Sequence, residues 1–253
     1  MPDSPIHKAM ERIAGAQYLT AFTGAGISVE SGVPPFRGEH GIWNQYDPRI
    51  LELDYFYRNP GECWTVIRDL FYRNFAASKP NDAHYWLAEL ENRGKLKLLI
   101  TQNIDDLHYR AGSRNVVEYH GNCRRLLCTR SGNYVPAESI NLLEMKDDEM
   151  PPRSPAGGVY KPDFIFFGEG IPREAQKRSL DAVDRSDVMI VIGSTGEVYP
   201  AASIPLMASR RGAVIIEINP QPSAFTSEIT DIHLQMTAGD AARQLQEILD
   251  DAV

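Results

Sequence analysis

Cysteine is scarce in this sequence. Cys63, Cys123 and Cys128 are its only thiols among 253 residues. Three unevenly spaced cysteines exclude a disulfide framework and point to a reducing, cytoplasmic setting. Long apolar runs are missing too: no stretch approaches the roughly 18 uninterrupted apolar residues of a membrane span. Met1–Gln17 lacks the basic-then-apolar pattern of an export leader, which again predicts a cytoplasmic location without membrane attachment. Nor is there a surplus of positive charge. A net charge of −8 argues against a polyanion as a general partner, so no direct contact with nucleic acid is expected. Internal repeats are absent. What is present is the composition of a soluble globular protein, 43% hydrophobic and 24% charged, on a chain long enough for one large domain carrying an insert.

Several short apolar runs end in glycine or polar turns, as buried parallel strands do. Tyr18–Phe22 leads into Thr23-Gly24-Ala25-Gly26, and Leu96–Ile100 leads into Thr101-Gln102-Asn103-Ile104-Asp105. Val188–Ile192 leads into Gly193-Ser194-Thr195, and Ala213–Ile218 leads into Asn219-Pro220. Ala83–Asn92, Arg173–Asp184 and Ala241–Leu249 read as helices between them. Strands alternating with helices predict an α/β fold with a doubly wound, Rossmann-like parallel sheet. Ligands in such sheets bind beyond the carboxyl ends of the strands. Gly26, Asn103, Asp105, Ser194, Thr195 and Asn219 are therefore expected around one ligand.

Two stretches break the alternation. One, from Gly32 to Lys79, is aromatic-rich, with a Pro34-Pro35 turn followed by helical sequence. The other, from Gly121 to Tyr160, holds two cysteines, a charged run and the Pro151–Gly158 loop. Together they predict a smaller inserted domain of helical and loop modules, 34–78 and 121–160, within a nucleotide-binding domain of 1–33, 79–120 and 161–253.

Each motif admits two readings on local grounds. Gly24-Ala25-Gly26 with the small Ser28 lets a backbone approach a pyrophosphate at a helix start, or is simply a tight strand-to-helix turn; Val29 stands where the full dinucleotide fingerprint has its third glycine. Gln102, Asn103 and Asp105 offer amides and a carboxylate suited to reading an amide ligand such as nicotinamide, or Asp105 is an Asx-type cap for a helix near Asp106. His120, leaving the Val116–Glu118 strand, is a general base or a structural histidine. Ser31–Gly38 supplies an aromatic wall at Phe36 and a phosphate-pairing guanidinium at Arg37, or connects domains. Lys161–Phe167 is an edge able to pair with an extended peptide, or an ordinary core strand.

Taken in order, these motifs resemble the sirtuin family of NAD-dependent protein lysine deacylases. The matching segments are Gly24–Ser28, Ser31–Gly38, Thr101–Asp105, His120–Asn122, Phe166–Glu169, Gly193–Thr195, Val198–Ala202 and Ile218–Asn219. The resemblance implies a large and a small domain with NAD in the cleft between them, consumed as co-substrate. It places the phosphates on Gly24, Ala25, Gly26, Ser28, Gly193, Ser194 and Thr195, with Arg37 and Gln102 also at the cofactor. Asn219 would meet the adenosine ribose and Ala241 would lie near the adenine. Phe36, Asn103, Ile104 and Asp105 would form the nicotinamide pocket. An acyl-lysine of a protein or peptide would thread between Phe167-Gly168-Glu169 and Gly196-Glu197-Val198. His120, assisted by Asn103, would be catalytic, taking a proton from a ribose hydroxyl. The products would be free lysine, nicotinamide and O-acyl-ADP-ribose.

The chain departs from that family in one place. The resemblance implies a structural zinc on two Cys-x-x-Cys pairs, and four thiolates are needed for such a tetrahedral site. Cys128 matches one ligand, but Ser131, Arg153 and Ala156 stand at the others. A zinc-free small domain is therefore expected, packed through Leu126, Leu127, Tyr134, Val135 and Tyr160. Ile67 and Leu70 stand where acid-selective relatives carry a Tyr-x-x-Arg pair, which favours acetyl or longer aliphatic groups. A mono-ADP-ribosyltransferase or NAD glycohydrolase, a non-catalytic NAD or ADP-ribose sensor, and a dehydrogenase are the alternatives. The missing third glycine weighs against the last.

Overall fold

The computed structural model describes residues 4–36 and 41–251; Arg37 of the expected site lies outside them. Helix α1 (Pro5–Gly15) starts with proline at its first turn and buries Ala9, Met10 and Ile13, a helical stripe. Strand β1 (Leu19–Thr23) follows and is buried throughout. Beyond it Ala25–Ser31 forms a 3-10 segment rather than a long helix. Helices α2 (Leu53–Arg58) and α3 (Pro60–Ile67), a π-helical turn (Arg68–Arg73) and α4 (Asn74–Ala77) make a helical arm.

Helix α5 (Asp82–Asn92), capped by the Asn81 side chain, leads to β2 (Leu96–Thr101), the short α6 (Leu107–Arg110) and β3 (Val116–Glu118). Strands β4 (Gly121–Cys128), β5 (Tyr134–Pro136) and β6 (Tyr160–Phe164) come next. The chain ends with α7 (Arg173–Val183), β7 (Val188–Ile192), α8 (Ser203–Arg210), β8 (Val214–Ile218), β9 (Ile232–Leu234) and α9 (Ala238–Asp251). None of the described helices is long and apolar enough to cross a membrane.

The large sheet is parallel, in the order β3-β2-β1-β7-β8-β9. The chain runs outward from β1 through β2 to β3, then returns to the other side of β1 with β7. This reversal leaves a crevice at the carboxyl ends of β1 and β7. In the register there, Thr23 stands beside both Thr101 and Ile192. The turns after β1, β2 and β7 therefore leave the sheet at one level.

Alternation along the central strands separates two cores, because successive side chains point to opposite faces. Val188, Ile190 and Ile192 join Ile13, Leu87 and Leu245 on the α1, α5 and α9 side. Met189 and Val191 join Phe22, Ile204 and Phe225 on the other. A third core unites the helical arm with a three-stranded antiparallel sheet, ordered β5-β4-β6, and contains Phe56, Trp64, Phe71, Leu126, Tyr160 and Phe166. The Trp64 indole donates to the Tyr160 carbonyl at 2.6 Å across this core.

Two expectations about this region change. Strand β6 pairs with β4, with Leu126 opposite Pro162 and Cys128 opposite Tyr160, so the chain returns to the large sheet only after 164 and not at 161. Tyr134 does not pack inside. Strand β5 is an edge, Tyr134 is 51% exposed, and the Arg125 guanidinium sits 4.8 Å over its ring.

Candidate active site

The two glycine turns meet backbone to backbone. Gly24 N donates to the Ile192 carbonyl at 3.0 Å, and Gly26 N donates to the Gly193 carbonyl at 2.9 Å. Gly193 has φ +62, and a Cβ there would lie 2.4 Å from Ile27 N. Only glycine permits that approach at a positive φ. The first requirement on this sequence is therefore that loops from β1 and β7 fit together, and a smooth backbone floor is the result.

The turn after β2 is tied to both loops. Asn103 Nδ2 donates to the Gly24 carbonyl at 3.1 Å and to Ser28 Oγ at 3.2 Å. Ser28 Oγ in turn donates to Asp105 Oδ2 at 2.7 Å, while Leu107 N donates to Asp105 Oδ1 at 3.0 Å. Asp105 thus accepts from the first residue of α6, whose N-cap is Asp106, and belongs to the polar cluster at once. The next residue, Asp106, takes φ +67, an uncommon conformation for a non-glycine. Burial raises the Asp105 carboxyl above its ordinary value, while the Ser28 and Leu107 hydrogen bonds oppose that rise.

Gln102 joins three elements. Its side-chain amide donates to Ser194 Oγ at 3.0 Å, and its carbonyl accepts from His120 Nδ1 at 3.2 Å. A carbonyl cannot donate, so Nδ1 carries the proton and Nε2 is left as the basic nitrogen. His120 is half-buried, and burial lowers its pKa below the usual value, with the Gln102 carbonyl opposing. Both effects suit a neutral imidazole that accepts a proton near neutral pH.

On the far side, Asn219 Nδ2 donates to the Ser194 carbonyl at 3.2 Å, and Thr195 is exposed with its hydroxyl 3.3 Å from Glu197. Ala241 is fully buried in the α9 core. Gly196 is buried at φ +76 against Ala224 and Phe225. Glu197 is exposed and Val198 half-buried. Phe167 is 46% exposed and is held by backbone bonds to Leu51 and Leu53 at 2.8 and 3.0 Å. The Glu169 carboxylate turns inward to the Lys161 ammonium.

One cavity gathers Ala25, Phe36, Asn103, Ile104 and Asp105. It is an apolar slot closed at one end by the Asn103 amide and the Asp105 carboxylate. Its other walls, Val33, Pro34, Ile42, Phe71 and Phe75, escaped the sequence reading, although Phe71 and Phe75 stand at helical i, i+4 spacing. Leu70 lines it as well. Arg68 points elsewhere, donating to the Met145 carbonyl at 2.7 Å and to Asp147 at 2.9 Å.

The loops where a zinc would be expected present one thiol. Ser131 N donates to Cys128 Sγ at 3.5 Å, and the Ser131 and Ser154 hydroxyls hold the thiol down to about 6. The facing loops are joined directly, by Thr129 N to the Val159 carbonyl at 2.9 Å. Among the described residues no three His, Cys, Asp or Glu side chains gather to hold a metal. The donor set does not fit a tetrahedral thiolate zinc.

Residues 24–200 match the model of the Sir2 family. The chain is 44% identical over 239 residues to an NAD-dependent protein deacylase of Aeropyrum pernix, covering 94% of each chain. It is 43% identical to NAD-dependent protein deacylase 1 of Archaeoglobus fulgidus, covering 94% of this chain and 95% of that one. Among solved structures it resembles a Sir2 homologue–NAD complex, with a TM-score of 0.88 at 39% identity and coverage of 97% and 94%. A Sir2–p53 peptide–NAD+ complex is similar too, with a TM-score of 0.88 at 33% identity and coverage of 97% and 99%. By family model, sequence and fold together, this chain is a member of the Sir2 family.

Proposed function

We propose that this protein removes acyl groups, acetyl foremost, from protein lysines, with NAD consumed as co-substrate. The observation that carries the reading is the pair of hydrogen bonds made by Gln102, side chain to Ser194 and backbone carbonyl to His120, which link the turns after β2 and β7 on either side of β1. A proton acceptor is thereby fixed in relation to a glycine-floored loop suited to a pyrophosphate. When bound, NAD supplies a ribose carbon that takes the acyl oxygen as nicotinamide leaves.

The chain's own residues do the rest. Gly24, Ala25, Gly26, Ser28, Gly193, Ser194 and Thr195 hold the phosphates, with Gln102 beside them and Asn219 at the ribose; the family resemblance adds Arg37 to the set. Phe36, Asn103, Ile104 and Asp105 enclose the nicotinamide ring and exclude water from it. His120 takes the ribose hydroxyl proton on Nε2. The acylated peptide lies between the Phe167–Glu169 and Gly196–Val198 segments, in a cleft between the large-sheet domain and the smaller one. Arg68, engaged by the Met145 carbonyl and Asp147, is not available to grip a second carboxylate, which supports uncharged acyl groups over dicarboxylic ones.

The smaller domain stands without zinc, and the three free cysteines support a reducing, cytoplasmic setting. Incubation with NAD and acetyl-, myristoyl- and succinyl-lysine peptides, with all products read by mass, tests the reading. Free lysine peptide with O-acetyl-ADP-ribose is expected, and ADP-ribosylated protein without deacylation would replace it with the transferase reading.

A further inference from the structure

Lys161 is 2% exposed, an unusual place for an ammonium group. Its three donors are all engaged within one turn. Nζ donates to the Pro162 carbonyl at 3.0 Å and the Phe164 carbonyl at 2.8 Å, and it meets Glu169 Oε2 at 2.9 Å. The same ammonium lies 4.5 Å from the Phe166 ring centroid. Glu169 closes the turn from the other end, accepting from Phe166 N at 3.0 Å. Burial lowers the lysine's pKa and the Glu169 carboxylate opposes that.

The turn so held has two outward attachments. Ile165 N donates to the His120 carbonyl at 2.8 Å, and the neighbouring Gly121 has φ +72, where a Cβ would lie 2.1 Å from the Asp163 carbonyl oxygen. Phe167 exchanges backbone bonds with Leu51 and Leu53 and leaves its ring exposed. The candidate base and the exposed Phe167–Gly168 edge are thus attached to the same few residues.

Energetics separate two purposes for this lysine. A buried ion pair recovers little more than its desolvation cost, and apolar replacements of similar volume are often neutral or better for stability. Folding stability alone therefore does not account for an ammonium here, whereas fixing the geometry of one turn does. We propose that Lys161 is a positioning residue for the acyl-lysine substrate: it holds the Phe164–Glu169 turn, and so sets the distance between His120 and the peptide-pairing edge at Phe167-Gly168. This rests on the deacylase reading and adds a residue to it.

The test is steady-state kinetics of Lys161→Met and Glu169→Gln on an acetyl-lysine peptide, with melting temperatures measured alongside. For Lys161→Met the peptide KM rises about tenfold while the NAD KM stays within about twofold, and Glu169→Gln moves the peptide KM the same way by about threefold. A merely structural role would lower activity in step with melting temperature and without that split, and would overturn the proposal. So would an unchanged peptide KM in a folded variant. If Lys161→Met does not fold, Lys161→Gln decides by the same criterion, because Glu169 itself lies in the peptide segment. A wild-type protein that releases no free lysine peptide refutes the deacylase reading itself, and the proposal falls with it, which an active wild type with unmoved variants does not do.

Discussion

His120 and Gln102 are joined by a single hydrogen bond, from the imidazole Nδ1 to the Gln102 backbone carbonyl at 3.2 Å. Because the acceptor is main chain, no substitution at position 102 removes it directly. The tautomer of His120 is set by the fold of the β2 turn, and its basicity by burial.

That combination predicts the acid limb of catalysis. Burial lowers the His120 pKa from its usual 6.5, so the neutral, proton-accepting form persists below pH 6.5 and is lost only as pH falls through the lowered value. The pH profile of kcat/KM on an acetyl-lysine peptide should have its acid-side inflection below 6.5. An inflection above 7 would contradict the environment described for this histidine.

A second histidine governs stability and not chemistry. His84 is buried on α5, its ring 4.8 Å from that of His108, and burial takes its pKa from 6.5 to about 4. Burial also places His108 well below its usual value, with His84 adding to the effect. Between pH 6.5 and 4 the unfolded chain binds more protons at His84 than the folded one, so stability falls as pH falls through that window. The loss at His84 is on the order of 3 kcal/mol at most. Urea unfolding at pH 7 and pH 4.5 should show it, and His84→Gln should reduce it, leaving the part due to His108. Equal stability of the wild type at the two pH values would refute this.

The smaller sheet should not depend on metal. Thr129 and Val159 join the facing loops directly, and Cys128 has serine partners in place of thiolates. Elemental analysis of chelator-washed protein should find far less than one zinc per chain, with an unchanged melting temperature. Stoichiometric zinc, or melting that drops on chelation, would contradict the account.

The strands of the large sheet were legible because buried parallel strands are short, apolar and punctuated. Val188–Ile192 is the same in sequence and structure. The glycine turn, the β2 turn and His120 were legible as a set, since each follows a strand. What escaped depends on how the chain folds back on itself. The burial of Lys161 and Arg68 comes from the Phe164–Glu169 turn closing around the one and the Met145 carbonyl meeting the other. Glu217 likewise appears ordinary, yet it is fully buried beneath the hydroxyls of Ser223, Thr226 and Thr230. Strand β6 could not be assigned to the smaller sheet from sequence because its register is set by β4, over thirty residues earlier in the chain. The 3-10 segment Ala25–Ser31 packs against Gly193, a contact no local propensity reports.

The most direct test of the account compares wild type with His120→Ala, given NAD and an acetyl-lysine peptide, by product mass and by NAD binding. The wild type should yield free lysine peptide, nicotinamide and O-acetyl-ADP-ribose, while the folded variant binds NAD about as well and forms no deacylated peptide. Deacylation that survives in His120→Ala, or loss of NAD binding in a folded variant, would contradict the role assigned to this imidazole.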